Sequence, residues 1–326
     1  MLPDIKTNIR LITSVLVVTV MVFAAELLGE NEMIFPEVAA LCAGMLVSRK
    51  MPWRADPIRI FVMMSLASAG GYLLAVWSGV PLLIKLLLSL IICLTSLHFT
   101  KCTMLPVISA MILPVLTNVY SLIYPISVTI LTAAVIALRE LFIKKDILNE
   151  EKADEADENN REALIRGLFI LSVTIAAASA AVILDRLFIV APPLIVALAE
   201  GSEKDSAVFS DPLKIFLAIS LSALTGSCCR LVMCVLMGLP LTGGAMAAAA
   251  ISLYMLYFMK KLFPPAAALG ILPFLLPAQT AGAYPFMVMS GAAFFITACY
   301  VYHRFRKSRI SQAPAVQEEE NNEILS

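Results

Sequence analysis

Few side chains in this chain could do chemistry, and most of those lie within apolar sequence. Arg230 stands inside the apolar run 213–237, in Cys228-Cys229-Arg230-Leu231. An ionisable group at membrane depth is costly and marks a functional candidate. Its guanidinium could meet an anionic solute, snorkel to the interface or pair with a carboxylate. Glu37 follows Pro36 at a helix start, where a carboxylate suits the helix dipole and could equally carry a proton. Glu26 and Lys85 fall near the ends of apolar runs, as interfacial residues do. His98, beside Lys101, fits a structural or interfacial role better than a proton relay.

The second set of candidates is backbone. Phe35-Pro36-Glu37, Leu105-Pro106, Ala191-Pro192-Pro193 and Phe263-Pro264-Pro265 each open a short apolar segment. Proline at a first helical position presets φ and loses no hydrogen bond, so each marks a helix start. A helix beginning inside a bilayer directs unpaired N–H groups and partial positive charge at whatever lies before it. Interrupted transporter helices hold anions this way. The plainer alternative is that each proline opens a helix at the interface of a locally thin bilayer. The candidate solute-binding set is therefore Pro36, Glu37, Pro106, Pro192, Pro193, Arg230, Pro264 and Pro265.

No catalytic, metal or cofactor site is expected. The chain has two histidines, and its seven cysteines (42, 93, 102, 228, 229, 234 and 299) show no CxxC spacing. Nothing resembles a P-loop or a nucleophile elbow. An enzyme is not expected, nor is intrinsic ATP drive.

The elements that hold these residues follow from composition. Of 326 residues, 60% are hydrophobic and 15% charged, and mean hydropathy is +0.90; soluble domains carry about 25% charged residues. So much apolar sequence needs lipid as solvent, where every backbone polar group must find an internal partner. Long runs without alternation favour helices over a barrel. Net charge is zero, and the basic residues lie in clusters between apolar runs, which suggests topology signals rather than nucleic-acid binding.

Apolar segments fall near 11–29, 34–48, 58–78, 80–97, 104–118 and 121–142, then near 165–184, 187–199, 213–237, 239–258, 264–278 and 284–302. The first is read as a retained helix, not a cleaved signal peptide, because its length matches a bilayer crossing. If all twelve cross with the N-terminus cytoplasmic, Lys6, Arg10, Arg49, Lys50, Arg54, Arg59, Lys101, Arg139, Lys144, Lys145, Lys260, Lys261 and the group 303–307 all face inside. The outer loops then hold no Lys or Arg apart from Arg186. Re-entrant short segments would put the 49–59 cluster outside, so twelve crossings with both termini cytoplasmic fit better. The expected compartment is the cell membrane (inner or plasma).

The two halves repeat. Asp56-Pro57-Ile58-Arg59-Ile60-Phe61 matches Asp211-Pro212-Leu213-Lys214-Ile215-Phe216 at an offset of 155, which holds to Gly71 and Gly226. Gly79-Val80-Pro81-Leu82 matches Gly238-Leu239-Pro240-Leu241 at 159, as do Pro106 with Pro265 and Ile112-Leu113-Pro114 with Ile271-Leu272-Pro273. The four extra residues fall inside one helix of the second half, about one turn, which keeps the face. Six crossings per half make the halves parallel. The expected layout is an all-α polytopic membrane protein: a first repeat at 1–145, an acidic cytoplasmic linker at 146–162, a second repeat at 163–305 and a cytoplasmic tail at 306–326. Linker and tail lack apolar periodicity and are expected to be solvated.

Phe263-Pro264-Pro265-Ala266-Ala267-Ala268-Leu269-Gly270-Ile271-Leu272-Pro273 has the shape of the motif that names the HPP family of integral membrane proteins. Pro193–Glu200, Asp211-Pro212-Leu213-Lys214 and Ser222-Ala223-Leu224-Thr225-Gly226 resemble that family's other helices. The chain thus resembles a tandem-duplicated HPP protein between about Ala191 and Pro277, with a more diverged copy before it. The motif's histidine is Phe263 here and Leu105 in the first half, so its role does not carry over. Some HPP members are associated with nitrite uptake, and the resemblance implies secondary transport of a small anion. The layout is also similar to the fusaric-acid-resistance and aromatic-acid-exporter families, which implies export of aromatic or other organic acids. A non-transporting scaffold acting through the linker and tail is a third expectation. The expected partners are the lipid bilayer and a small anionic solute, with a homo-oligomer compatible and no nucleic acid.

Labelling in sealed vesicles checks the topology. In a cysteine-free background, Lys50→Cys and Lys145→Cys should react from one side, and Asn31→Cys and Thr280→Cys only from the other.

Overall fold

The structure, a computed structural model, describes residues 3–149, 160–204, 206–260 and 262–324; the side chains of 207 and 307–324 are not described. Helices account for every regular element among the described residues. Helix α1 spans Ile5–Leu28, α2 Glu37–Cys42 with a π-helical continuation Ala43–Val47, α3 Pro57–Val76, α4 Leu82–Thr100, α5 Pro106–Thr117 and α6 Ile123–Lys144. Helix α7 spans Asn160–Ile183, α8 Pro192–Gly201, α9 Pro212–Cys228 with a π-helical end Cys229–Leu236, α10 Leu241–Phe258, α11 Pro264–Ile271 with a 3₁₀ turn Leu272–Phe274, and α12 Tyr284–Ile324. Eight of these contain stretches long and apolar enough to cross a membrane: α1, α3, α4, α6, α7, α9, α10 and α12.

Local chemistry sets the ends. Asp4 caps α1 by accepting from the Thr7 N–H at 3.2 Å. Proline occupies the first turn of α3, α5, α8, α9 and α11. Gly29 and Asn118 close α1 and α5 in the left-handed conformation. Large apolar side chains such as Ile12, Leu16, Leu66, Leu73, Ile130 and Leu168 lie exposed on the long helices. Single exposed apolar residues are ordinary, but a continuous apolar coat suits a lipid-facing surface.

The short helices are the reverse. Every residue of α2 from Glu37 to Val47 is buried, as is every residue from Pro106 to Leu116 and from Pro264 to Phe274, and α8 is buried from Pro192 to Ala199. They form the centre of the protein. Helix α2 packs on α11 and α5 on α8, while α2 also meets α5 and α8 meets α11. The long helices enclose them: α3 covers α5, α9 covers α11, α1 packs on α10 and α4 on α7.

Close approach depends on glycine at two places. A Cβ at Gly71 would overlap the Met111 carbonyl of α5, and one at Gly226 the Gly270 carbonyl of α11. Small residues let membrane helices meet backbone to backbone in this way.

Two boundaries differ from those read in the sequence. Helix α7 begins at Asn160, inside the expected linker; linker residues 150–159 lie outside the described residues. Helix α12 runs on to Ile324, so the expected tail is helical there rather than irregular, in keeping with its Glu- and Gln-rich composition. Helix α9 ends in a π-helical stretch at Cys229–Leu236, a rare form that the sequence reading did not anticipate.

Gly226→Ala should lower stability by about 1–3 kcal/mol through overpacking. Gly243→Ala, whose Cβ meets nothing within 4 Å, should be neutral or gain about 0.5–1 kcal/mol from helix propensity. Thermal unfolding in detergent distinguishes the two.

Candidate functional site

Glu37 sits in the first turn of α2 with 1% of its surface exposed. Its Oε1 accepts a hydrogen bond from Ser109 Oγ, a fully buried hydroxyl in the first turn of α5. Its Oε2 has no partner among the described residues. The phenols of Tyr124 and Tyr284 lie within electrostatic reach of this carboxyl, but both hydroxyls are spent elsewhere. Tyr124 donates to the Ala110 carbonyl at 2.7 Å, and Tyr284 to the Leu269 carbonyl at 2.9 Å. Phe35 meets Tyr124 edge-on at 6.2 Å, and Phe188 meets Tyr284 at 6.0 Å.

No ion pair to Glu37 occurs among the described residues, and burial and hydrogen bonds alone dominate its environment. An unpaired buried carboxylate would cost several kcal/mol. The group must therefore carry its proton or take up a cation. Glu200, at the end of α8, is a second carboxyl with an oxygen that has no partner among the described residues.

Two basic side chains meet the carbonyl ends of the short helices. Arg139 donates from Nη1 to the Met45 carbonyl at 2.9 Å, at the end of α2. A ring nitrogen of His303 lies 2.8 Å from the Gly201 carbonyl, at the end of α8. Both serve the carbonyl ends of short helices, where basic groups are favourable.

Of the residues singled out in the sequence, Pro106, Pro192 and Pro264 occupy first helical positions, with Pro193 and Pro265 next. Pro36 is the cap of α2 and is already helical, at φ −57° and ψ −30°. All six are buried. Arg230 lies apart from this group. It is half-buried, its Nε has no partner among the described residues, and Glu26 is the carboxylate within electrostatic reach of it. Glu26 reaches across from α1 to cap α10, accepting from Leu241 N at 2.9 Å, Thr242 N at 3.1 Å and Thr242 Oγ1 at 2.7 Å. Of the three readings of Arg230, association with a carboxylate is the one with a candidate partner.

Sequence reasoning missed Ser109, Tyr124, Tyr284 and the Glu26 cap. The two tyrosines stand at an offset of 160 and could have been paired by that register. Ser109 and Glu26 carry no local signal, since their partners are 72 and 215 residues away. Among the described residues no group of three or more His, Cys, Asp or Glu side chains could hold a metal ion.

No protein-family model matches the chain, and comparison with curated proteins and with solved structures found no match.

Glu37→Gln, a neutral isostere, should leave thermal stability within about 1 kcal/mol of the parent, whereas Glu37→Lys should lose about 3–5 kcal/mol as an uncompensated buried charge. Equal losses in thermal unfolding would mean that Glu37 is held ionised by a partner.

Proposed function

We propose that this protein is a secondary transporter that moves a small anion together with a proton carried on Glu37. The observation that carries the reading is a buried carboxyl without a cationic partner, lodged where short helices of the two halves meet. A protonated Glu37 leaves the positive ends of nearby helices free to attract an anion, and an ionised one repels it. Anion and proton then enter and leave together.

The proposed frame is twelve crossings in two parallel six-helix repeats, both termini cytoplasmic, with boundaries at 1–145, 146–162, 163–305 and 306–326. Support comes from contacts that recur at the sequence offsets. Gly71 against Met111 corresponds to Gly226 against Gly270. The Tyr124 bond to Ala110 corresponds to the Tyr284 bond to Leu269. Gly79 and Gly238 share a positive φ, as do Lys101 and Lys260. The packings between halves also come in pairs: α1 on α10 with α7 on α4, and α2 on α11 with α8 on α5. A two-fold axis along the membrane normal relates such pairs, and the solute site lies beside it.

The HPP resemblance at Pro264-Pro265 motivates a nitrite-like anion as the solute. The aromatic pairs Phe35–Tyr124 and Phe188–Tyr284 favour a second reading, an exporter of aromatic acids. Arg230, beside Glu26, serves in this proposal as a cation on the approach.

Proteoliposomes loaded with a pH dye test the reading. An inward nitrite gradient should acidify the lumen; benzoate in place of nitrite distinguishes the second reading. Glu37→Gln should abolish the coupled proton signal, and Arg230→Ala should raise KM about tenfold, the loss of one charge-assisted contact. Proton movement unchanged in Glu37→Gln would count against the proposal.

A further inference from the structure

Outside the central site, the charged end of α1 holds a cavity of about 270 Å³ lined by Asp4, Lys6, Arg10, Arg49, Leu148 and Asn149, among others. At ~30 Å³ per water, the space suits a small polyatomic anion with its hydration. Arg10 is the unusual member. It is 5% exposed, and among the described residues its only hydrogen bond runs from Nη2 to Thr7 Oγ1 at 2.9 Å. Its Nε has no partner. A guanidinium offers five N–H donors, and the described residues take up one of those of Arg10.

Among the described residues the carboxylates answer this buried charge only in part: Asp4 acts on Arg10 electrostatically but makes no hydrogen bond to it. Asp146 is paired with Lys6 at 2.8 Å, and Asp4 Oδ1 is committed to the Thr7 N–H as the cap of α1. Exposed Arg49, from beyond α2, brings a second guanidinium into electrostatic reach of Arg10. Lys6 being paired with Asp146, Asp4 is the one carboxylate set against two guanidiniums among the described lining residues, and a bound anion would balance the charge left over. Planar guanidinium forks match tetrahedral oxyanions in a bidentate manner, and the N-terminus of α1 adds positive potential.

We infer that Arg10 and Arg49 form a binding site for a phosphate group, distinct from the Glu37 site and independent of the transport reading. The phosphate belongs either to a phospholipid headgroup or to a free solute, and one experiment separates these sources. The full chain is held in dodecyl maltoside, which has no phosphate. Its unfolding temperature is followed on addition of inorganic phosphate or of phosphatidylglycerol, with chloride at matched ionic strength as control. Stabilisation by inorganic phosphate alone identifies a free solute, and stabilisation by the lipid alone identifies a headgroup. In either case Arg10→Gln and Arg49→Gln should weaken the apparent affinity about tenfold or more, as expected for loss of a charge-assisted contact. Exposed Arg49→Gln carries the test if Arg10→Gln fails to fold. The inference is overturned if neither ligand stabilises the parent beyond the chloride control. It is equally overturned if the Arg49→Gln variant responds with undiminished affinity.

Discussion

Everything in this architecture depends on one constraint: in an apolar solvent, each backbone and charged group must be satisfied by the protein itself. A long helix meets that demand along most of its own length. A helix of ten or twelve residues cannot, because both of its ends fall where water is scarce. It survives only when surrounded by other protein. That is why α2, α5, α8 and α11 are buried throughout while the eight long helices carry the exposed leucines and isoleucines. The short helices are the core because they are too short to be anything else.

The same constraint sorts the charges. Arg139 is paid out to a carbonyl at the end of α2 and His303 to one at the end of α8. Glu26 and Glu32 accept from backbone N–H groups that begin α10 and precede α6. Each of these ionisable groups completes a helix end. Glu37 does not follow this pattern. It has a single hydroxyl partner and an oxygen with none among the described residues. Structural groups have their needs met; this one has a need left over.

The fold was largely legible in the sequence, because it is written in residues with strong local rules. Prolines mark the short helices within a residue or so: Pro36 caps α2, and Pro106, Pro192 and Pro264 begin α5, α8 and α11. Glycines marked close approach at 71 and 226 for a steric reason that no other residue satisfies. The site was legible only in part. Glu37 stood out as a charge in apolar sequence, but its one hydrogen-bond partner, Ser109, comes from α5, and no local spacing encodes such a contact. Arg230 stood out equally, yet it lies by Glu26. A lone charge in an apolar run announces that it has a partner and says nothing of which one.

The central claim is that Glu37 holds a proton that enters and leaves together with an anion. Infrared difference spectroscopy of the reconstituted protein, recorded on adding and removing nitrite, reads this most directly. The account predicts a carbonyl stretch from a protonated carboxylic acid that changes on nitrite binding, shifts in heavy water and vanishes in Glu37→Gln. A Glu37 signal in the carboxylate region throughout, unmoved by nitrite, would contradict it.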